Sequence, residues 1–257
     1  MDIWDEVKDK IRFSVLSGTL VRVVESQEQI ATNQLVDSLE AQIQLEELLE
    51  QSKPRYNTLT AGNKKLRQKK LSYLLITPFR YPPLMHGSRF GTRFEASLFY
   101  ASKTVSTAFS ETAYYRFYFW AGMKKPPPSK KYITEHLTFK AKYYTQKGLL
   151  LTKPPFSQYE TALRDPSQYH VSQILGKKMR ENKVGIFEYV SARDSHKGTN
   201  VALFSADGFA GNKPYDQQHW LCETTENKVC FSSKEGLLFS YHKTAFLVNN
   251  ALPIPAA

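Results

Sequence analysis

Hydrophobic and polar positions follow two different periods along the chain. Apolar residues recur at helical spacing in residues 27–51, 103–120 and 171–179, which predicts three amphipathic helices. Short apolar or alternating runs predict strands, which we place at residues 71–76, 98–100, 132–144, 148–152, 184–190, 198–204, 219–224, 228–232 and 236–239. Because these helices and strands do not alternate regularly, the pattern predicts an α+β fold rather than a doubly wound sheet.

The first part of the chain is predicted to be a helical extension, residues 1–70, in front of a main domain, residues 71–257. Ser26 and Gln29 match a capping box, and Pro54 ends the helix that follows. We favour a helix packed on the main domain over an arm that binds a partner or forms a homodimer. The basic joint at residues 61–70 has no aromatic residues between its charges, so a solvated linker is preferred over a nucleic-acid patch.

Composition narrows the class of protein. Lysine and arginine exceed the acidic residues and give a formal net charge of +11, which favours polyanionic partners. The two cysteines cannot complete a four-ligand zinc site. No stretch approaches the roughly 20 apolar residues of a membrane span, and the acidic start is unlike a signal peptide. We therefore expect a cytoplasmic protein that uses neither a metal nor a membrane.

Six polar residues remain as candidates for chemistry once the common catalytic motifs are found to be absent. Arginine binds phosphate through paired hydrogen bonds, and a tyrosine ring stacks on a flat heterocycle. A carboxylate stabilises the positive charge that develops on a sugar as its glycosidic bond breaks. Such a combination suits cleavage of a nucleotide's glycosidic bond. The candidates are Arg80, Tyr81, Arg89, Tyr100, Glu111 and Ser191.

The same residues carry a resemblance to a known family. Steps of 11 residues link Arg89, Tyr100 and Glu111, the run ASKTVSTAFSE leads into the second predicted helix, and a strand ends at Ser191. This pattern, over roughly residues 72–205, resembles the RES-domain toxins of bacterial toxin–antitoxin pairs, named for an Arg, a Glu and a Ser. The matching residues here are Arg80, Glu111 and Ser191. The chain departs from the family's common Gly-Gly-Arg-Trp-Asn at residues 87–91, where Gly91 replaces the Asn.

The resemblance implies an ADP-ribosyltransferase-like core of two small, mainly antiparallel sheets around an NAD cleft. It implies that NAD is the substrate, that inorganic phosphate is the co-substrate, and that nicotinamide and ADP-ribose 1″-phosphate are the products. Arg80, Glu111 and Ser191 would be catalytic, while Tyr81, Arg89 and Tyr100 would bind NAD. It also implies an antitoxin with a helix-turn-helix domain that blocks the cleft. Two alternatives stay open: a protein ADP-ribosyltransferase that uses the same cleft, and a non-catalytic binding module.

Overall fold

The computed structural model describes residues 1–26, Leu48 and residues 71–254. The helices in these residues are α1 (Ile3–Val7), α2 (Tyr73–Arg80), α3 (Val105–Ala121), α4 (Glu160–Leu163) and α5 (His170–Glu181). The strands are β1 (Ser14–Glu25), β2 (Phe99–Ser102), β3 (Tyr132–Leu150), β4 (Ile186–Val190), β5 (Thr199–Leu203), β6 (Tyr215–Thr224), β7 (Lys228–Ser232) and β8 (Leu238–His242). The predicted α+β class is confirmed.

All eight strands belong to one mixed sheet with the order β1-β2-β5-β4-β3-β6-β7-β8. The expectation of two small sheets is therefore wrong for the described residues. The reason is the length of β3, whose 19 residues replace the two separate strands predicted there. One edge of β3 pairs with β6 near its start and with β4 near its end, so both groups of strands share it.

The opposite edge of β3 pairs with β1, and this pairing closes a circuit of five strands. Strand β1 also meets β2 at one position, where Val21 lies opposite Ser102. Strands β2, β5 and β4 complete the circuit back to β3. Because β1 and β2 pair at only one position, an opening is left between them.

The predicted helical character of the N-terminal segment is wrong for residues 14–25, which form β1. Its sequence, SVLSGTLVRVVE, is rich in β-branched residues that favour a strand. The helix predicted at residues 27–51 lies, apart from Leu48, outside the described residues. Where the main domain begins stays a prediction.

The strand predicted at residues 71–76 is also wrong, since α2 begins at Tyr73 and contains Pro78. A short apolar run does not distinguish a strand from a buried helix by its period, and here Leu75 and Ile76 are buried. The helices predicted near residues 103–120 and 171–179 are confirmed as α3 and α5. The cap of α3 is Thr104, whose side chain accepts from the amide of Thr107.

The core consists of three clusters of buried apolar side chains on the faces of the sheet. The first surrounds Phe90 and Phe187, the second surrounds Phe99 and Phe139, and the third places Phe109 of α3 against the meander of β6–β8. In the third cluster, the ring of Phe109 stacks on Phe231 with centroids 4.2 Å apart. This contact fixes α3 across the sheet with one face directed towards β1 and β2.

A buried polar group lies beside the third cluster. Arg116 of α3 is paired with Glu25 of β1, with Nη1 and Oε2 3.0 Å apart. His136 is 2% exposed, and its Nε2 lies 3.0 Å from Oγ1 of Thr134. Burial lowers the pKa of His136 to about 4, and the nearby Arg116 charge contributes in the same direction. The imidazole is therefore neutral in the folded protein at neutral pH.

Acid should destabilise the protein through His136. Unfolded histidine binds a proton near its ordinary pKa of about 6.5, whereas folded His136 binds one only near pH 4. Between these values the unfolded state binds more protons, so the free energy of unfolding falls as pH falls, by up to roughly 3 kcal/mol. Urea unfolding at pH 7 and about pH 4.5 should show a smaller loss for His136→Gln than for wild type. The exposed control, His219→Gln, should keep the wild-type loss; an equal loss in all three proteins would contradict this account.

Candidate active site

A cleft of about 500 Å³ lies where β1, β2 and one face of α3 meet. The 82–89 segment forms one wall, and side chains from β4, β5 and the turn after β4 form another. Among the side chains that border the cleft are Arg22, Arg89, Tyr100, Glu111, Tyr169, Tyr189, Arg193 and Asn200. Three of the six sequence-predicted residues, Arg89, Tyr100 and Glu111, are thus brought to one cleft.

Glu111 is the acidic side chain among the described residues that border this cleft. Ser191 donates from Oγ to Oε1 of Glu111 over 2.6 Å, and Asn200 donates from Nδ2 to the same oxygen over 2.7 Å. Within the described part of the chain, Oε2 accepts no hydrogen bond. One oxygen is therefore held by the protein and the other is available to a ligand.

Ser191 is fully buried in the turn that follows β4. Besides donating to Glu111, its Oγ accepts from the backbone amides of Arg193 and Asp194 at 3.2 and 3.0 Å. The turn is fastened to α3, because Thr107 donates to Oδ2 of Asp194 and Ser110 donates to the carbonyl of Arg193. These bonds explain how Ser191 and Glu111, which are 80 positions apart in sequence, come within hydrogen-bonding distance of each other.

Asn200 was missed by the sequence reasoning. It is 2% exposed at the second position of β5, and Ser102 of β2 donates to its Oδ1 over 2.7 Å. Because Oδ1 accepts this bond, the amide nitrogen is oriented as a donor towards Glu111. The available signal was a single amide side chain inside the apolar run of residues 199–204.

Arg89 borders the cleft, but part of its hydrogen-bonding capacity is used by the protein. Its Nη1 donates to the carbonyls of Leu163 and Asp165, and its guanidinium lies 4.6 Å from the centre of the Tyr169 ring. Arg193, which the sequence reasoning did not select as a ligand, is arranged similarly. Its Nη2 donates to the carbonyl of Pro166 over 2.7 Å, and its guanidinium lies against the Tyr114 ring.

Tyr100 organises the loop that carries Arg89. Its hydroxyl accepts from the amide of Phe90 and lies 2.9 Å from Oγ of Ser88. Burial raises the pKa of Tyr100 to about 12, and burial also raises the pKa of Tyr189 well above its usual range. Both hydroxyls therefore remain neutral at physiological pH while their rings border the cleft.

Arg80 and Tyr81 lie outside the described lining of the cleft. Arg80 ends α2, and Tyr81 follows it with 42% of its surface exposed. The carbonyl of Tyr81 accepts from Oγ of Ser97 over 2.8 Å. The structure thus separates these two predicted residues from Arg89, Tyr100 and Glu111, although the neighbouring Pro82 and Pro83 border the cleft.

The charge balance of the cleft is positive. Arg22, Arg89 and Arg193 border it, against the single carboxylate of Glu111 among the described residues. Within the described ranges none of these three arginines lies within ion-pair distance of a carboxylate. Such a site favours an anionic ligand. Residues 1–26 and 71–254 contain no group of acidic, histidine and cysteine side chains arranged to hold a metal ion.

Comparison with known families assigns this architecture. A match to the RES domain family covers residues 66–224, more than half of the chain. The chain belongs to the RES domain family. RES domains are toxin domains with NAD-related activity. No curated protein matches the chain. Strand β1 precedes the matched RES segment. Separately, no helix among the described residues has the length and apolar character needed to cross a membrane.

Removing the Ser191 hydroxyl should destabilise this RES domain. Ser191→Ala leaves two buried amides without their acceptor and removes one donor from Glu111, so we expect the free energy of unfolding to fall by about 2–4 kcal/mol. The control is Ser129→Ala, since Ser129 is exposed and makes one local bond to the carbonyl of Lys131. Urea unfolding of both variants measures the difference. Similar stabilities of the two variants would show that Ser191 does not hold the turn.

Proposed function

We propose that the protein cleaves the bond between nicotinamide and ribose in NAD and transfers the ADP-ribose to inorganic phosphate. The observation that carries this proposal is Glu111, held at one oxygen by Ser191 and Asn200 inside a cleft that three arginines make positive. Membership of a family of NAD-related toxin domains supports NAD as the substrate.

The chemistry suits a single fixed carboxylate. When the glycosidic bond breaks, its electron pair returns to the positively charged ring nitrogen, and nicotinamide leaves as a neutral molecule without needing a proton. Positive charge develops on the ribose ring, and a carboxylate fixed beside it stabilises that charge. A phosphate oxygen then forms the new bond to the ribose carbon. We assign the charge-stabilising role to Glu111 and the role of positioning Glu111 to Ser191 and Asn200.

The cationic lining would hold the phosphates. Guanidinium groups bind phosphate oxygens through short, charge-assisted hydrogen bonds. Arg89 and Arg193 each retain donors beyond those bonded to backbone carbonyls. The rings of Tyr100 and Tyr189 offer apolar faces for the nicotinamide or the adenine. Arg80 and Tyr81 lie outside the cleft lining, so the lining adds no support for their predicted roles in catalysis and NAD binding. Those two roles stay predictions.

We also propose that an antitoxin covers this cleft, since RES domains typically pair with antitoxins. Apolar side chains at the cleft rim support a protein partner. Leu84 borders the cleft with 64% of its surface exposed, and the next residue, Met85, is 78% exposed. Association with a partner would remove both side chains from water.

Glu111→Gln should lower NAD consumption by about 100-fold or more, because the amide keeps the shape of the side chain but removes the charge. The matched control is Glu226→Gln at an exposed position outside the cleft, which should retain wild-type turnover. Purified proteins would be incubated with NAD, with and without inorganic phosphate, and the products resolved by mass spectrometry.

The products decide among the alternatives. Phosphate-dependent loss of NAD with formation of ADP-ribose phosphate supports phosphorolysis. If the ADP-ribose from NAD is recovered attached to protein, the result would instead support a protein ADP-ribosyltransferase. If the folded wild-type protein does not consume NAD, both enzymatic alternatives are overturned. The non-catalytic binding module is then the remaining interpretation.

A further inference from the structure

Arg22 is a charged residue in an otherwise apolar part of β1. It lies between Val21 and Val23, and both neighbours border the same cleft. Its segment precedes residues 66–224, over which the chain matches the RES domain family. Strand β1 therefore brings into the cleft an arginine that the matched segment does not contain.

The protein satisfies only part of the Arg22 guanidinium. Nη1 donates to the carbonyl of Tyr100 over 2.7 Å, and the guanidinium carbon lies 4.5 Å from the centre of the Phe99 ring. Nε is buried without a hydrogen-bond partner in the described residues. Burial lowers the pKa of Arg22 to about 10, so the group is still cationic at neutral pH.

Arg116 is a useful comparison, because it has both a carboxylate partner and a hydrogen bond at Nε, whereas Arg22 has neither among the described residues. Arg116 is paired with Glu25 and donates from Nε to Oγ1 of Thr224. Arg22 and Glu25 both border a smaller cavity of about 180 Å³, but the carboxylate of Glu25 is bonded to Arg116. No described carboxylate lies within ion-pair distance of Arg22. Arg22 is partly withdrawn from water. A cation in that position without a neighbouring anion is unfavourable, so a bound anion would stabilise it.

We propose that Arg22 binds a phosphoryl group in the cleft, either the diphosphate of the dinucleotide or inorganic phosphate. The N-terminal strand then completes the phosphate-binding site of this RES domain. This proposal rests on the proposed function for the identity of the ligand. Arg22 lies next to the single position at which β1 and β2 pair, and it borders the cleft that contains Glu111. Its guanidinium retains donors beyond the one bonded to Tyr100.

Binding measurements test this without requiring turnover. Titration calorimetry would compare wild type, Arg22→Met and Arg22→Lys with three ligands: ADP-ribose, inorganic phosphate and adenosine. Arg22→Met should weaken the binding of ADP-ribose or of phosphate by about 10- to 100-fold, and the ligand that is weakened identifies the source of the phosphoryl group. Adenosine, which lacks phosphate, should bind with unchanged affinity. Arg22→Lys keeps the charge but not the planar fork, so a smaller loss is expected.

Arg180→Met is the matched control. Arg180 also donates to one backbone carbonyl, that of Ala96, lies 4.8 Å from a phenylalanine ring and has a buried Nε without a partner, but it lies outside the cleft lining. It should leave all three affinities within about twofold of wild type, which is below the roughly tenfold change expected at Arg22. If Arg22→Met fails to fold, the affinities of Arg22→Lys for the three ligands test the proposal instead.

The proposal is overturned if the folded Arg22 variants bind ADP-ribose and phosphate as wild type does. It is also overturned if adenosine binding falls equally, because that would indicate a general distortion of the cleft. Failure of the proposed function has a different signature: wild type would not consume NAD, whatever the titrations show for Arg22.

Discussion

The pairing of β3 with β1 is the constraint on which the rest of the structure depends. It joins Ser14–Glu25 to residues 136–148 in an antiparallel ladder whose register shifts once, between Ser14 and Leu16. Because β3 also pairs with β4 and β6 on its other edge, it holds both groups of strands in one sheet. The same pairing positions β1 beside β2, and the incomplete contact between those two strands opens the cleft.

Around that opening, the site is assembled from parts of the chain that are distant in sequence. Glu111 comes from a helix packed across the sheet, Asn200 from a central strand, and Ser191 from the turn that joins the two neighbouring strands. Each member is held by more than one bond, so the carboxylate is oriented before any ligand arrives. Orientation of this kind is what electrostatic stabilisation of a transition state requires.

The sequence predicted those features whose signal is local. The amphipathic period identified α3 and α5, and the motif around Arg89, Tyr100 and Glu111 identified residues that the fold does bring to one cleft. It failed where the deciding contact is distant. The apolar run at residues 71–76 fits either a strand or a helix until its packing is known, and Asn200 and Arg22 acquire meaning only through Ser102 and Tyr100. Two sheets were expected from the family resemblance, and nothing local in the sequence shows that residues 132–150 form one strand shared by both groups of strands.

The distance along the chain between β1 and its partner has a consequence for synthesis. The last residue of β1, Glu25, pairs with His136, so more than a hundred residues must be added before this end of the strand finds its neighbour. At ordinary translation speeds that interval is on the order of ten seconds. During this interval the edge of β1 that pairs with β3 in the folded protein is unpaired, and the cleft is incomplete. A ribosome-bound chain of this RES domain is therefore without its completed site until most of the protein has been made, which delays any chemistry in the cleft until translation is nearly complete.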